Sequence, residues 1–217
     1  MLFHITGPSG SGKTTIGKKL QNISNTFVID TDDIDDSNAL EILSDPKYKH
    51  LFSNENSIDG FWKMLEQKNL DSLLELLEKN KGKNIIIVGM TIYPPGETDV
   101  HGYSIDISSD DIFYQVNKRN LGEICSNSTE INELFEKEKN KNLVDLLILF
   151  KYKVKQSFPI IPQQIVNSIE MRKKHDIEIG YKYLKQEEII KDIEKTISES
   201  NNLSRQNQKN KTKKLKK

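Results

Sequence analysis

The sequence predicts a three-layer α/β fold, in which helices cover both faces of a mostly parallel five-stranded sheet. Short β-branched or apolar runs alternate along the chain with longer stretches of helical periodicity, an alternation typical of parallel sheets with crossover helices. The run at 85–88 is continuously apolar, as expected of a strand covered on both faces. Because such sheets bind ligands beyond the carboxyl ends of their strands, the residues that follow each strand are the first candidates for function.

The individual elements follow from apolar periodicity and from the residues that interrupt it. Strands are predicted where short apolar runs stop at glycine, acidic or turn residues, at 2–6, 26–29, 85–88, 103–107 and 179–184. Helices are predicted where apolar residues recur three or four positions apart, from residue 14 onward and at 37–43, 57–79, 108–120, 129–155, 163–174 and 187–197.

The chain length of 217 residues allows one domain of ordinary size and a tail. We predict one domain over residues 1–199, with additional helices at about 36–80 and at about 118–175. Residues 200–217 contain seven Lys or Arg and no acid, and they are almost free of apolar side chains. This composition predicts a disordered basic tail.

The formal net charge of zero conceals an acidic body and a basic tail. Without the seven basic residues of the tail, 25 of the 32 Lys and Arg remain against 32 Asp and Glu, a net charge of −7 for residues 1–199. An acidic body argues against a broad nucleic-acid surface on the domain. Nucleic acid or another polyanion is therefore a candidate partner of the tail alone, which could equally be an address signal or a solvated end without a role.

The compartment is predicted from the single cysteine and from the lack of long apolar runs. Cys125 excludes an intramolecular disulfide and fits a reducing compartment. The longest apolar stretch, at 143–150, is far below spanning length. We predict a cytoplasmic protein with no membrane partner, or a nuclear one if the tail is an address signal.

A glycine-rich segment near the amino terminus carries the strongest functional signal. It reads Gly7-Pro8-Ser9-Gly10-Ser11-Gly12-Lys13-Thr14, lies between a predicted strand and a predicted helix, and fits the Walker A pattern G-x-x-x-x-G-K-[ST]. Glycines let backbone N–H groups converge on an anion, toward which the helix turns its positive end. We expect residues 7–15, through Thr15, to hold nucleotide phosphates, with Lys13 on the terminal phosphates and the Thr14 hydroxyl on Mg²⁺.

Residues after the second and third strands extend this signal to a family. The second strand is followed by Asp30-Thr31-Asp32-Asp33, and the third by Gly89. Here the chain resembles the small-molecule kinases of the P-loop group, the shikimate, gluconate and nucleoside-monophosphate kinase-like proteins, several of which carry D-x-D after strand two and glycine after strand three. The resemblance implies a P-loop fold, ATP as phosphoryl donor and Mg²⁺ as cofactor.

The resemblance also implies roles for the acidic residues. Asp30 would hold the Mg²⁺ shell through water, and Asp32 would face the acceptor hydroxyl as orienting group or base. Asp33 is a rival for either role. The alternative is that this acidic run only caps the next helix.

Lys118-Arg119 looks like the start of the lid, where this family places arginines on the transferring phosphoryl group. A guanidinium suits that task because it clamps phosphate oxygens with fixed geometry and keeps its charge. Arg119 is therefore an implied catalytic residue beside Lys13 and Asp32, and residues 118–175 would form the lid and a helical cover. The likeness is specific in the first 33 residues, moderate near 85–89 and 103–119, and absent from about 121 to 175.

The number and positions of the arginines limit the chemical class of acceptor that we expect. The chain has three arginines, Arg119, Arg172 and Arg205, and none lies between the glycine-rich segment and the implied lid. The resembled families hold an acceptor phosphate or carboxylate with arginines from that region. We therefore expect a small-molecule acceptor that offers hydroxyls, such as a sugar, nucleoside or polyol.

The segment 91–99, which follows the third strand, is expected to border the acceptor pocket. Tyr93, Glu97 and Asp99 are its candidate partners for acceptor hydroxyls. The alternative is that Pro94 and Pro95 only stiffen a surface turn.

Three other functions use the same segment. A nucleotide hydrolase or switch is suggested by Asp99-Val100-His101-Gly102, which fits D-x-x-G, and by Asn117-Lys118-Arg119-Asn120, which approaches N-K-x-D but lacks the final aspartate. An ATP-binding protein without transferase activity and a polynucleotide 5′-kinase are the others. The sequence favours an ATP-dependent phosphotransferase and leaves these three open.

Overall fold

The computed structural model of the protein describes residues 1–48, 57–90, 92–94, 99–112, 115 and 162–214. The chain divides into two compact units. One comprises Met1–Gly7, Gly12–Asp106 and Asp176–Lys217, and it contains the whole sheet; the other comprises Pro8–Ser11 and Ile107–His175.

The sheet consists of five strands in the order β2-β3-β1-β4-β5, and every pairing is parallel. The strands are β1 (Leu2–Thr6), β2 (Thr26–Asp30), β3 (Asn84–Val88), β4 (Val100–Ile105) and β5 (Lys182–Leu184). β1 is central, so the chain adds β2 and β3 on one side of it and β4 and β5 on the other. The predicted α/β class and five-stranded parallel sheet are confirmed.

The described helices include α1 (Lys13–Leu20), α2 (Thr31–Ser44), α3 (Ser57–Lys79), α4 (Pro162–Glu178) and α5 (Gln186–Lys214). Helices of the unit that contains the sheet pack on both of its faces. On one face, Ile85 and Ile87 form a buried cluster with Ile34 of α2 and Leu73 of α3. On the other face, Val88 lies 3.1 Å from where a Cβ on α1 residue Gly17 would stand, a close packing that glycine permits. This arrangement is consistent with the predicted three-layer α/β fold.

Three element boundaries differ from the sequence prediction. β4 begins at Val100 and not at residue 103, because Val100 and His101 pair with β1 although the segment around Gly102 is weakly apolar. β5 is limited to Lys182–Leu184, after Gly180 turns the chain with a φ of 82°. α2 begins at Thr31, six residues earlier than predicted, because the side chain of Asp30 caps it.

The carboxyl-terminal helix is the largest departure from the sequence prediction. Residues 200–217 were predicted to be disordered, whereas α5 extends to Lys214. No glycine or proline interrupts α5. Its acidic first turn and its Lys-rich end both interact favourably with the helix dipole. Among the described side chains of α5, the last buried one is Ile197, and residues 201–203 are exposed.

Several predicted elements cannot be compared with the structure. The helix at 129–155 and most of the region at 118–175 lie outside the described residues, and the helix at 108–120 is described only at 109–112 and 115. The described α4 is longer than the predicted helix at 163–174. Within the described ranges, no helix has the length and apolar character needed to cross a membrane.

Candidate functional site

The glycine-rich segment joins β1 to α1. β1 is buried along its whole length and delivers the chain to Gly7 at the carboxyl edge of the sheet. Gly10 and Gly12 have φ values of 80° and 86°, in the left-handed region that favours glycine. Gly12 is the N-cap of α1 and has no side chain with which to cap this helix. In the other unit, Ser11 N–H donates to the Pro8 carbonyl over 3.1 Å, which closes a turn.

Lys13 turns back toward the start of this segment. Its side chain is 8% exposed, and Nζ donates a hydrogen bond to the Gly7 carbonyl over 3.0 Å. A cation at the amino-terminal end of α1 adds to the positive potential of the helix dipole. This end of α1 therefore combines a buried ammonium with the positive end of the helix dipole, which is an environment for an anion.

The two predicted metal ligands contact each other. Thr14 Oγ1 donates to Asp30 Oδ2 over 3.0 Å, although the residues lie on different elements. The contact arises because β1 and β2 are parallel, so Asp30 ends its strand at the same edge of the sheet at which α1 begins. The other oxygen of Asp30, Oδ1, accepts the N–H of Asp32 over 3.1 Å and caps α2.

This pair of oxygens fits a hard cation. Mg²⁺ prefers oxygen ligands and is commonly held by one or two protein groups together with phosphates and water. Within the described residues, no group of three or more His, Cys, Asp or Glu side chains could hold a metal by itself. A cation at Thr14 and Asp30 would thus depend on ligands from a bound phosphate and water.

Asp32 has the environment expected of a base. Its side chain is exposed, yet its pKa is raised above 3.8, first by partial desolvation and then by the neighbouring charge of Asp30. Lys13 acts in the opposite direction and lowers the pKa of Asp32, and Asp36 and Asp35 raise it. A carboxylate with a raised pKa holds a proton more readily than a free one, which suits proton transfer from a hydroxyl.

Thr31, between the two aspartates, explains the glycine after β3. A Cβ on Gly89 would overlap the side chain of Thr31, which is fully buried. Thr31 Oγ1 has no hydrogen-bond partner within the described residues. Gly89 N–H donates to the Ile5 carbonyl over 3.1 Å, which holds this glycine against the end of β1. Glycine at position 89 thus lets Thr31 seat the start of α2 against the sheet.

A cavity of about 410 Å³ runs beside the edge strand β2 and between α2 and α3. Asp30 and Asp33 both line it, whereas Asp32 does not. The buried Asn38 and the hydroxyl of Ser72 also line it, 3.1 Å apart. Asp32 and Asp33 therefore face different surroundings, which the sequence could not distinguish.

Other sequence-predicted residues stand apart from this group or outside the described residues. Arg119 and Glu97 belong to the parts of the chain that the structure does not describe. Asp99 precedes β4 and so lies at the amino end of a parallel strand, opposite to the edge that carries Gly7 and Asp30. Its expected place at an acceptor pocket is therefore wrong, and the D-x-x-G interpretation loses its structural basis.

Tyr93 occupies a different environment from the expected one. Its hydroxyl donates to Asp176 Oδ1 over 3.0 Å and lies 3.4 Å from Thr6 Oγ1. Asp176 is not predicted from the sequence, because it lies in an ordinary helical pattern. A histidine and a threonine within the apolar strand β1, His4 and Thr6, were the available signal for polar packing here.

The fold and the site together define an α/β protein whose central strand ends in a glycine-rich turn beside a Thr–Asp pair. The chain matches no protein-family model, and no curated protein is found to be similar to it. Function must therefore be argued from the residues of the site.

Proposed function

We propose that the protein is an ATP-dependent phosphotransferase that moves the γ-phosphoryl group of ATP to a hydroxyl of a small molecule, such as a sugar, nucleoside or polyol. The observation that carries the proposal is the hydrogen bond between Thr14 and Asp30, with the Lys13 ammonium at the same end of α1. These side chains are the ones that a P-loop site needs around nucleotide phosphates and Mg²⁺.

The backbone and Lys13 would bind the nucleotide. N–H groups at the start of α1 and the Lys13 ammonium would hold the outer phosphates. Thr14 would ligate Mg²⁺ directly and Asp30 would do so through water, and the ion would neutralise charge on the phosphate oxygens. The hydrogen bond between Thr14 and Asp30 keeps both oxygens near the position in which they are needed.

Asp32 would act on the acceptor. Its carboxylate orients the hydroxyl and accepts its proton while the hydroxyl oxygen bonds to the γ-phosphorus and the bond to the β-phosphate oxygen breaks. The electron pair of the broken bond leaves with ADP. Lys13 neutralises the charge that develops on the phosphoryl oxygens, together with Arg119 if it has the role implied by the resemblance.

The proposal is tested by ATP consumption with Mg²⁺, measured with and without pools of nucleosides, sugars, polyols and 5′-hydroxyl oligonucleotides. We expect consumption to rise with one small-molecule pool and to fall to background in Lys13→Ala. Lys18→Ala, which removes an exposed ammonium from the same helix, should retain the wild-type rate. Consumption independent of any acceptor would indicate a hydrolase, and stimulation by oligonucleotides alone would indicate a polynucleotide kinase.

A further inference from the structure

We propose that Tyr93 is a positioning residue that fixes Gly7, and through Gly7 the Lys13 ammonium, by means of the buried carboxylate of Asp176. Tyr93 belongs to a group of polar side chains that the proposed reaction does not use. We call this group the Tyr93 cluster; its members are His4, Thr6, Tyr93, Ser104, Asp176 and Tyr181.

The centre of the cluster is a carboxylate removed from water. Asp176 is 0% exposed. Its two oxygens each accept one hydroxyl, Oδ1 from Tyr93 over 3.0 Å and Oδ2 from Ser104 over 2.6 Å. Within the described residues its side chain has no cationic partner, so these hydroxyls are what satisfies it. Because this carboxylate is buried, loss of either hydroxyl would leave one of its oxygens without a hydrogen bond and would lower the free energy of unfolding.

Tyr93 connects Asp176 to β1. Because its phenol proton goes to Asp176, the Thr6 hydroxyl is the donor in the contact of 3.4 Å between Thr6 and Tyr93. The Tyr93 ring also packs edge-on against His4, with 5.0 Å between centroids. Thr6 and His4 are both β1 residues, and Thr6 is followed directly by Gly7.

Tyr181, another member of the cluster, packs against β1 and β4 of the sheet. His4 Nδ1 lies 2.7 Å from the Tyr181 hydroxyl. Gly102 is paired with His4 in register, and a Cβ on Gly102 would overlap the Tyr181 ring. The glycine in β4 therefore leaves the space that Tyr181 fills, and Tyr181 in turn backs His4. Contacts from Tyr93 and from Tyr181 thus restrict the end of β1.

Gly7 connects the Tyr93 cluster to Lys13. Gly7 follows Thr6, and its carbonyl accepts the hydrogen bond of Lys13 Nζ over 3.0 Å. Removal of the Tyr93 hydroxyl leaves Asp176 with one donor and Thr6 without its contact to the phenol. The end of β1 then gains freedom at the position from which Lys13 is held. The effect on nucleotide affinity, but not the effect on Gly7, rests on the proposed function.

The matched test compares Tyr93→Phe with Tyr103→Phe. Tyr103 also donates to a carboxylate, Asp192 Oδ2, over 3.0 Å, and it pairs with Ile5, so it lies on the other face of the sheet. Both variants lose one hydroxyl from the same kind of bond. Amide hydrogen exchange at Gly7 and at residues 12–14 reports the position of the segment, and calorimetric titration with ATP and Mg²⁺ reports affinity.

We expect Tyr93→Phe to speed exchange at these amides about tenfold and to weaken ATP binding about tenfold, as the loss of a hydrogen bond to a charged group implies. Tyr103→Phe should leave both values within about twofold of the wild type. Equal exchange at Gly7 and residues 12–14 in the two variants overturns the proposal. Faster exchange in Tyr93→Phe, in a protein that binds no ATP even as wild type, supports the positioning role and refutes the proposed function.

A second variant covers the case in which Tyr93→Phe does not fold. Ser104→Ala removes the other donor from Asp176 without changing Tyr93. We expect faster exchange at the same amides, by a smaller factor, because Asp176 then anchors Tyr93 less firmly. Unchanged exchange at Gly7 in Ser104→Ala would count against anchoring by Asp176.

Discussion

Asp30 and Asp32 lie two positions apart but have different tasks available to them. Asp30 uses one oxygen on Thr14 and the other on the N–H of Asp32. The carboxylate of Asp32 makes no hydrogen bond within the described part of the chain and is exposed. This difference supports Asp30 as the residue beside the cation and Asp32 as the residue that meets the acceptor.

Asp32→Asn should separate activity from stability. The pKa of Asp32 is raised in the folded protein, so the folded state binds this proton more tightly than the unfolded state, and stability falls as the pH rises through the raised value. At pH 7 we expect Asp32→Asn to unfold at the same temperature as the wild type or a slightly higher one, with turnover lost. The stabilisation should disappear near pH 3 in a thermal unfolding series.

The pH dependence of turnover offers a second readout of Asp32. As a base, it must be ionised, so the wild-type rate should fall as the pH drops toward the pKa of Asp32, which lies above 3.8. A rate that persists in Asp32→Asn, or whose acid limb is unchanged in that variant, would remove Asp32 from the mechanism and favour Asp33.

Gly89→Ala should damage the site through Thr31. The new methyl group would overlap the buried Thr31 side chain, and we expect a loss of about 1–3 kcal/mol in the free energy of unfolding. Because Thr31 lies between Asp30 and Asp32, turnover should fall further than the stability loss alone explains. Chemical denaturation and ATP consumption measure the two effects.

Gly82→Ala is the control for this substitution. Gly82 has a φ of 92° and nothing lies within 4 Å of its added Cβ. The variant should lose about 1–2 kcal/mol from left-handed strain and keep its activity. Equal activity losses in the two variants would show that Gly89 has no special relation to the site.

At the scale of elements, the start of α2 joins a structural role to a functional one. Asp30 ends β2, caps α2 and contacts Thr14 of α1. Helix capping is the alternative to metal binding, and the two roles would use different oxygens of Asp30, since Oδ1 caps α2 and Oδ2 contacts Thr14. Capping alone therefore does not exclude the proposed cation site.

Asp30→Asn and Asp30→Ala separate the two roles. Asparagine caps helices as well as aspartate, so Asp30→Asn should keep the stability of the wild type, whereas Asp30→Ala should lose about 1 kcal/mol. Both should lower Mg²⁺-dependent turnover about 10–100-fold, the usual effect of losing a group that orients a metal ligand. Full activity in Asp30→Asn would reduce Asp30 to a cap.

Strands with strong apolar runs were predictable from sequence, and weakly apolar ones were not. β1 and β3 are buried throughout, so their sequences show the burial directly. β4 begins with a half-buried segment around His101 and Gly102, where polar packing and a missing side chain obscure the pattern. The start of α2 was missed because its cap is Asp30, which belongs to the preceding strand.

At the scale of the whole molecule, charge is divided between an acidic body and a basic helical end. Among the α5 side chains that the structure describes, Ile197 is the last buried one, and Leu203 is 61% exposed. Residues 200–217 carry a charge of +7, which equals in size the charge of −7 on residues 1–199.

Deletion of residues 200–217 tests what this end contributes. We expect an unfolding temperature and an ATP consumption close to those of the full chain, because the segment is almost free of apolar residues and its described side chains at 201–203 and 206 are exposed. Retention on an oligonucleotide column at low salt should disappear, since the remaining chain carries a net charge of −7. A large drop in stability would instead show that the end of α5 packs on the domain.

The sequence by itself determined the α/β class and the buried strands, and it marked the glycine-rich segment at 7–14 as a candidate site, because apolar periodicity and glycine spacing are local properties of the chain. Only the tertiary structure decided which distant side chains meet. The contact of Thr14 with Asp30 depends on the parallel arrangement of β1 and β2, and it joins residues 16 positions apart. The Tyr93 cluster depends on the packing of a loop residue and a helix residue, 83 positions apart, against β1 and β4. Such pairings leave no periodic trace in sequence, and for that reason Asp176 was missed while Lys13 was not.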